Sequence, residues 1–311
     1  MYRFLINLLI FTCVAFVLIF VVELSCRLLK VPKISHHNIY SKSQDLIPII
    51  NKNTILILGD SRLEWGIKPL KMLEKLTKDS LNVINMALPG SNGLDILIYL
   101  KKNNIYPRLI LLGYTPNYGR NKNHGLDLIS YTKPNAIKEK IKYSLKQTLY
   151  LQDQSIKEYI INGFPYFKNH KYDAWGGAIV NEYGDYAKRL EEQIVIYNTY
   201  KNSFDSLGLK KYCTEMNTMI KIFKKNGSVI CGIYMPVSKR IFNIEASAAY
   251  SKPQKINFDR FYDFSNYTYT VERNRPDSIY FYDGSHLSHE YSDVFSEKLV
   301  RYISKSYLDI K

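Results

Sequence analysis

The chain has 311 residues, of which 46% are hydrophobic, enough to bury the core of one large domain or two small ones. It carries 43 Lys and Arg against 28 Asp and Glu, a formal net charge of +15 at pH 7. The basic residues are spread along the sequence with no dense block and no nucleic-acid-binding motif, so we expect no DNA or RNA partner.

The chain opens with an uncharged apolar run from Phe4 to Val22. Its 19 residues are enough to cross a hydrocarbon core of about 30 Å as a helix, and no small-residue cleavage site follows them. We therefore predict an uncleaved transmembrane anchor over residues 1–30, followed by a polar stalk over residues 31–53. More basic residues follow the run than precede it, so the positive-inside rule by itself favours a cytoplasmic position for the rest of the chain.

Beyond the stalk, short runs rich in β-branched and aromatic residues alternate with helical stretches. This pattern predicts an α/β domain with a mostly parallel sheet over residues 54–311. Regular alternation stops at about residues 118–206, which we interpret as an insertion that covers the site, with an amphipathic helix near residues 136–160. Residues 236–277 are predicted to be irregular. The predicted strands are 54–58, 81–86, 108–112, 228–234 and 278–282, and the predicted helices lie near 68–77, 94–102, 207–225 and 288–305.

The four cysteines do not decide the redox compartment. Cys13 lies inside the apolar run and Cys26 lies just after it, and neither is placed for catalysis. Cys213 and Cys231 could form a disulfide in an oxidising compartment, but we favour two free buried thiols.

The first candidate for chemistry is Gly59-Asp60-Ser61, at the exit of the first predicted strand and ahead of a helix. A serine there lies above the carboxyl ends of the strands, where open α/β sheets form their sites. If a helix begins soon after it, the Ser61 backbone N–H can point toward a developing oxyanion. The same residues could also be a plain strand-to-helix turn in which Asp60 or Ser61 caps the helix.

The second candidate is Asp283-Gly284-Ser285-His286, which precedes the last predicted helix. A serine hydroxyl needs an adjacent base that is oriented by a third group before it becomes a good nucleophile. An aspartate three residues before a histidine can bring its carboxylate to one ring nitrogen and leave the other nitrogen for Ser61. The structural alternative is a helix cap at Asp283 beside a surface histidine. We favour His286 over His289, which lacks an aspartate at the matching spacing.

Together, Gly-Asp-Ser near the start and Asp-x-x-His-Leu near the end resemble the SGNH/GDSL hydrolase superfamily over residues 54–305. The resemblance implies a three-layer flavodoxin-like SGNH-hydrolase fold and a catalytic triad of Ser61, His286 and Asp283. The family's second block implies Gly90 as an oxyanion-hole donor beside the Ser61 N–H. The third block departs from the family's spacing, so the third donor is Asn117, Asn92 or absent.

The run from Gly59 to Pro69 is similar in particular to membrane-anchored members that are associated with bacterial cell-surface polysaccharides. This likeness implies a serine esterase or O-acyltransferase that acts on acyl, above all acetyl, esters of a cell-envelope glycan. It also implies a single-pass protein of the cytoplasmic membrane whose catalytic domain lies outside, against the charge count. A membrane-bound O-acyltransferase is the protein partner that acyl transfer would call for.

Several functions stay open beside this one. The chain could be a non-catalytic glycan-binding or assembly protein on a decayed SGNH fold, or a cytoplasm-facing lipase or thioesterase. Arg62 could bind an acidic sugar or form a salt bridge, and Trp65 is expected to serve packing. We expect no metal and no other cofactor, since the sequence has neither a ligand cluster with metal-site spacing nor a phosphate-binding loop pattern.

Overall fold

The computed structural model describes residues 2–28, 46–76, 81–88, 90–115, 186–202, 206–246, 256–265 and 276–304. The chain divides into two compact units, one made of residues 1–36 and 131–172 and the other of residues 37–130 and 173–311. Most of the predicted insertion, including the helix near residues 136–160, lies outside the described residues, as does Asn117. Every other candidate site residue belongs to the described part of the second unit.

The described part of the first unit is helix α1 (Tyr2–Leu28), which contains the apolar run. Apolar side chains along it, among them Phe4, Leu9 and Phe11, are largely exposed. Within the part of the chain that the structure describes, no helix is both long and apolar enough to cross a membrane. The transmembrane anchor stays a prediction.

In the described part of the second unit, five parallel strands form one sheet. Their order across the sheet is β2-β1-β3-β4-β5, and every neighbouring pair runs parallel. The central strands β1 and β3 are buried at every position, as strands covered by helices on both faces must be. The prediction of an α/β domain with a mostly parallel sheet is confirmed. The strands are β1 (Thr54–Leu58), β2 (Asn82–Asn85), β3 (Leu109–Gly113), β4 (Val229–Tyr234) and β5 (Arg260–Asp263).

Helices cover both faces of this sheet. The described helices are α2 (Ser61–Gly66), α3 (Pro69–Lys75), α4 (Leu94–Lys102), α5 (Tyr186–Asn202), α6 (Ser206–Lys225), α7 (Lys239–Ala246), α8 (Asp277–Tyr280) and α9 (His289–Ile303). Because side chains alternate along a strand, Leu56 and Leu58 of β1 pack with α4 and α6, and Ile55 and Ile57 pack with α2, α3 and α9. A smaller apolar cluster joins α5 to α7.

Strands β1 to β4 and helices α3, α4, α6 and α9 lie within two residues of where the sequence predicts them. The strand predicted at residues 278–282 is wrong. The chain there forms the single-turn helix α8, and only Phe281 pairs, in an isolated antiparallel bridge with Leu287. The run of Ile, Tyr and Phe has the residue types of a strand. In the structure it packs into the core from this helical turn, through the buried side chains of Tyr280 and Phe281.

β5 is the edge strand beside β4. It lies in the region that the sequence predicts to be irregular. That region also contains α7, so the prediction for residues 236–277 is wrong as well. β5 has only four residues, with Arg260 and Asp263 exposed at its ends, and therefore shows no apolar strand pattern. Charged residues on a short edge strand are a common protection against pairing with other chains.

The apolar core of the second unit begins before the first strand. Leu46, Ile47 and Ile50 are buried and join the cluster on the α4–α6 face, so the last part of the predicted stalk packs onto the domain. Cys213 and Cys231 are free buried thiols, and they belong to the clusters on opposite faces of the sheet.

Candidate active site

The turn after β1 places Ser61 beyond the carboxyl ends of the strands. Gly59 has φ +153°, and a Cβ there would lie 3.2 Å from Gly113 Cα in β3, so the turn requires glycine. Asp60 caps α2: its Oδ1 accepts a hydrogen bond from Arg62 N at 3.0 Å, and its Oδ2 accepts one from Thr115. Ser61 is then the first residue of α2, beside the point between β1 and β3 where the strand order reverses, the usual place for a site in an open α/β sheet.

The loop between α8 and α9 carries Asp283 and His286. The bridge between Phe281 and Leu287 closes this loop at its base, and Gly284 turns it with φ +87°. Asp283 Oδ1 accepts hydrogen bonds from the backbone N–H groups of Ser285 and His286, both at 2.9 Å. The carboxylate is therefore held in one orientation, with its second oxygen directed at the histidine ring.

An unbroken line of hydrogen bonds joins the two segments. His286 Nδ1 lies 2.7 Å from Asp283 Oδ2, and His286 Nε2 lies 2.8 Å from Ser61 Oγ. Because a carboxylate only accepts, the ring proton belongs on Nδ1, which leaves Nε2 as the acceptor for the Ser61 hydroxyl. The structure thus brings together the three residues that the sequence singles out, although 225 positions separate Ser61 from His286.

Asp283 and His286 are both largely withdrawn from water. Burial by itself raises the pKa of Asp283, but the hydrogen bond and charge of His286, together with the two backbone N–H donors, lower it below the ordinary value. Asp283 therefore stays ionised at every pH at which an ordinary aspartate is ionised. A fixed, ionised aspartate can orient the imidazole and stabilise its protonated form.

Two residues predicted as oxyanion-hole donors, Gly90 and Asn92, have different surroundings in the structure. Gly90 is exposed with φ +70°, and nothing lies within 4 Å of the place where its Cβ would be, so a side chain there would point into open space. Asn92 is buried, and its Oδ1 accepts from Leu94 N at 3.1 Å as the α4 helix begins. Its side chain therefore serves the start of α4. Asn117 lies outside the described residues, and its role stays a prediction.

Two residues that follow Ser61 have definite contacts. Arg62 is buried and paired with Glu245 at 2.5 Å, so its guanidinium is a salt-bridge partner and not a free site for an acidic sugar. Trp65 lies against the catalytic histidine candidate, with its ring centroid 4.3 Å from that of His286. The sequence predicts that Trp65 serves packing. In the structure, its ring packs against the His286 ring.

Sequence reasoning misses the partners that surround Arg62. Glu245 lies in α7 and Tyr197 in α5, 183 and 135 positions away, in regions predicted as irregular or as an insertion. The available signal is Glu245 itself, which lies four residues after Ile241 and therefore on the same, buried face of α7. A carboxylate at such a position often marks a buried partner for a basic side chain.

Within the described residues, no group of three or more His, Cys, Asp or Glu side chains could hold a metal ion. No model of a known protein family matches the sequence, and no curated protein matches it. The fold and the site together define an α/β protein with hydrogen-bonded Ser, His and Asp side chains beyond the carboxyl end of its first strand.

Proposed function

We propose that this protein is a serine-dependent enzyme of acyl-ester chemistry. The observation that carries the proposal is the line of hydrogen bonds from Ser61 through His286 to Asp283, at 2.8 and 2.7 Å. The nucleophile lies within hydrogen-bond distance of the base, and the base lies within hydrogen-bond distance of the orienting group, as nucleophilic catalysis by a serine requires. They also stand at the place in an open α/β sheet where ligands bind.

In the proposed reaction, Ser61 Oγ attacks the acyl carbonyl carbon while His286 Nε2 takes the hydroxyl proton. Asp283 holds the imidazole and stabilises its charge. The negative charge that develops on the carbonyl oxygen is met by the Ser61 and Gly90 N–H groups, each such donor being worth about 2.7–4 kcal/mol in a comparable hole. His286 then gives the proton to the departing alkoxide, and the acyl group remains on Ser61.

The second half of the reaction decides between two products. If water attacks the acyl-serine, with His286 again accepting the proton, the protein is an esterase. If a sugar hydroxyl attacks in the same way, it is an O-acyltransferase. The same three side chains serve both outcomes, because only the second nucleophile differs.

We further propose membership of the SGNH/GDSL superfamily with a flavodoxin-like fold. The support is the strand order 2-1-3-4-5, in which β2 is added on one side of β1 and β3, β4 and β5 are added in turn on the other side. Gly-Asp-Ser follows β1 and Asp-x-x-His precedes the final helix, as the motifs of that superfamily do.

The proposed substrate is an acyl ester, above all an acetyl ester, of a cell-envelope glycan. Its support is the likeness of the run from Gly59 to Pro69 to polysaccharide-associated members. The apolar run from Phe4 to Val22 supports attachment to the cytoplasmic membrane, with the catalytic domain outside and a membrane-bound O-acyltransferase as a partner. Protease accessibility in intact and lysed cells tests the side, and protection in intact cells contradicts the external position.

The reaction is tested with p-nitrophenyl acetate as an activated acetyl donor. We expect release of p-nitrophenol that is lost in Ser61→Ala, with an acetylated oligosaccharide formed when a glycan acceptor is added if the protein is a transferase. A folded protein without Ser61-dependent turnover that still binds glycans would instead support the alternative, a non-catalytic glycan-binding protein.

A further inference from the structure

Helix α5 carries an arginine whose charge is not matched by a carboxylate. Arg189 Nε donates to the Tyr282 carbonyl at 2.8 Å, and the guanidinium lies 4.1 Å from the centre of the Tyr282 ring. Among the described residues, Arg189 has no acidic side chain within salt-bridge distance and no other hydrogen-bond partner. The side chain is partly buried, so this cation is held in place by contacts that leave its charge uncompensated.

The neighbouring arginines differ from Arg189 in this respect. Arg62 of α2 and Arg240 of α7 each lie 2.5 Å from the oxygen of a glutamate. Partial burial of a cation costs free energy unless other groups compensate for the lost water, and the Tyr282 ring and carbonyl do so only in part. An arginine held without a carboxylate in this part of the fold is therefore ready to take an anion from a ligand.

The contacts of Arg189 leave one side of its guanidinium open. Its Nη1 and Nη2 donors have no partner within the described part of the chain, and neither atom is among the buried ones that lack a partner, so both reach solvent. A guanidinium that lies over an aromatic ring uses its face for that contact and keeps the donors in its plane. Nη1 and Nη2 can thus make two parallel hydrogen bonds, which is the geometry that fits a carboxylate or a phosphate.

Tyr282 connects this guanidinium to the loop that carries the candidate histidine. Its N–H donates to the His286 carbonyl at 2.8 Å, and Asp283 follows it directly in the chain. Arg189 contacts both the carbonyl and the ring of Tyr282, so the guanidinium keeps one position relative to this loop. An anion that binds to Arg189 is therefore placed at a fixed distance from His286.

Two aromatic rings lead from Arg189 to the candidate catalytic residues. The Tyr282 ring meets the Trp65 ring edge-on with centroids 5.9 Å apart, and the Trp65 ring lies 4.3 Å from the His286 ring. Trp65 follows Ser61 by four residues and so lies on the same face of α2. All of these side chains except His286 are partly exposed. They form one strip of surface, which we call the aromatic strip: Ser61, Trp65, Tyr282 and Arg189.

The aromatic strip has the composition of a surface that binds a sugar chain. The C–H faces of sugar rings pack on aromatic rings while the hydroxyl groups stay in water, and Trp and Tyr themselves combine an apolar body with a polar end. The arginine at the end of the strip adds recognition of a negative charge. The net charge of +15 also favours the approach of an anionic polymer. The strip spans several ring contacts, which an oligosaccharide covers and a small acetyl ester does not.

We propose that Arg189, with Tyr282 and Trp65, forms a subsite for an anionic group, a carboxylate or a phosphate, on the glycan whose ester reacts at Ser61. The inference deepens the proposed function and rests on it for the role of Ser61, since it makes the substrate an acidic glycan. Arg189 does not touch the reacting ester. It selects and orients the sugar chain that carries the ester.

Calorimetric titration of the full-length protein tests the subsite without use of the reaction. The probes are a galacturonate oligomer, which carries carboxylates, a glycerol phosphate oligomer, which carries phosphates, and a neutral galactose oligomer. We expect at least one anionic oligomer to bind more tightly than the neutral one, and to bind more weakly at high salt because ions screen the charges. Which anionic oligomer binds distinguishes a carboxylate from a phosphate.

The decisive variant is Arg189→Gln, which removes the charge and keeps an amide that can donate to the Tyr282 carbonyl. We expect the affinity for the anionic oligomer to fall roughly tenfold to hundredfold, as for the loss of a charge-assisted hydrogen bond, with the affinity for the galactose oligomer unchanged. Arg189→Lys keeps the charge but not the two-point geometry, so its affinity should lie between those of Arg189→Gln and the wild type.

The matched control is Arg240→Gln, which removes the same charge from the neighbouring helix α7. Arg240 is more than half exposed, and its partner Glu191 lies two residues after Arg189 in α5. We expect this variant to bind the anionic oligomer like the wild type. An equal loss of affinity in Arg189→Gln and Arg240→Gln would overturn the inference, because it would reflect the general charge of the surface.

Three further results would overturn the subsite: a folded wild-type protein that binds neither anionic oligomer, an Arg189→Gln protein with wild-type affinity, or an equal loss for the acidic and the neutral oligomer. The subsite and the proposed function can fail separately. Binding that depends on Arg189, in a protein whose Ser61 does not react with a fluorophosphonate, overturns the reaction and leaves the subsite. Reaction at Ser61 without such binding overturns the subsite alone.

Discussion

Two ion pairs of equal length involve helix α7, and their surroundings are opposite. Arg240 and Glu191 lie 2.5 Å apart on the surface between α7 and α5, with more than half of each side chain exposed. Arg62 and Glu245 also lie 2.5 Å apart, but 2% and 4% of their side chains are exposed. The two pairs share a distance and differ in access to water.

The difference shows that distance alone does not measure what an ion pair does. An exposed pair competes with water and salt and contributes at most about 1 kcal/mol. A buried pair has lost its hydration, so each partner depends on the other and on the hydrogen bonds around it. Around the pair of Arg62 and Glu245, Tyr234 donates a hydrogen bond to Glu245 and Arg62 donates one to Tyr197.

The largest expected effect comes from breaking the buried pair. Glu245→Ala leaves the Arg62 guanidinium without its carboxylate, and we expect the free energy of unfolding to fall by about 3–5 kcal/mol. Chemical denaturation at constant pH measures it. Because Arg62 directly follows Ser61 at the start of α2, the folded variant should also react more slowly at Ser61.

The matched surface variant is Glu191→Ala, which breaks the pair with Arg240. We expect it to cost no more than about 1 kcal/mol, and less at high salt, because ions screen exposed charges. Equal losses of stability in Glu191→Ala and Glu245→Ala would contradict the contrast between the two pairs.

The next effect tests how closely α5 packs on the loop. Gly284 and Gly227 have nearly the same φ, +87° and +86°, but of the two only Gly284 has neighbours where a Cβ would be added. Both alanine variants should carry about 1–2 kcal/mol of backbone strain. Gly284→Ala should lose a further 1–3 kcal/mol or so from overpacking against Leu190 and Ser238. Similar unfolding curves for the two variants would show that Leu190 of α5 does not pack closely against Gly284.

The smallest effect is a dependence on acid. Because the pKa of Asp283 is lowered in the folded protein, the unfolded chain binds more protons as pH falls. This contribution to stability is complete above the ordinary value of 3.8 and is lost as pH drops through the lowered folded value. Asp283→Asn should therefore show a flatter fall in unfolding free energy than the wild type across that acid range. Curves of equal slope would mean that the Asp283 carboxylate is not held as described.

Much of the fold could be predicted from the sequence because its signals are local. A buried strand such as β1 is an apolar run, and α4 shows its apolar stripe between clear ends. The Gly-Asp-Ser and Asp-x-x-His motifs could be interpreted together because each lies next to a strand or helix that the sequence predicts. The side chains of Ser61 and His286 lie 2.8 Å apart in the structure, and the catalytic roles stay predictions until they are measured.

The parts that could not be predicted depend on contacts between distant segments. β5 is too short and too charged at its ends to look like a strand before it pairs with β4. The pair of Arg62 and Glu245 joins residues 183 positions apart, and nothing near Arg62 in sequence shows whether it is buried or exposed. Tyr197 is one of 27 tyrosines, and only its place on α5 sets it apart.

The central claim is that Ser61 is a nucleophile activated by His286, and its most direct measurement is the site of a fluorophosphonate adduct, located by peptide mapping. We predict one adduct, on Ser61, that is absent in Ser61→Ala and forms roughly 10³-fold or more slowly in His286→Ala. A folded wild-type protein with no adduct, or with an adduct that persists in Ser61→Ala, would contradict it.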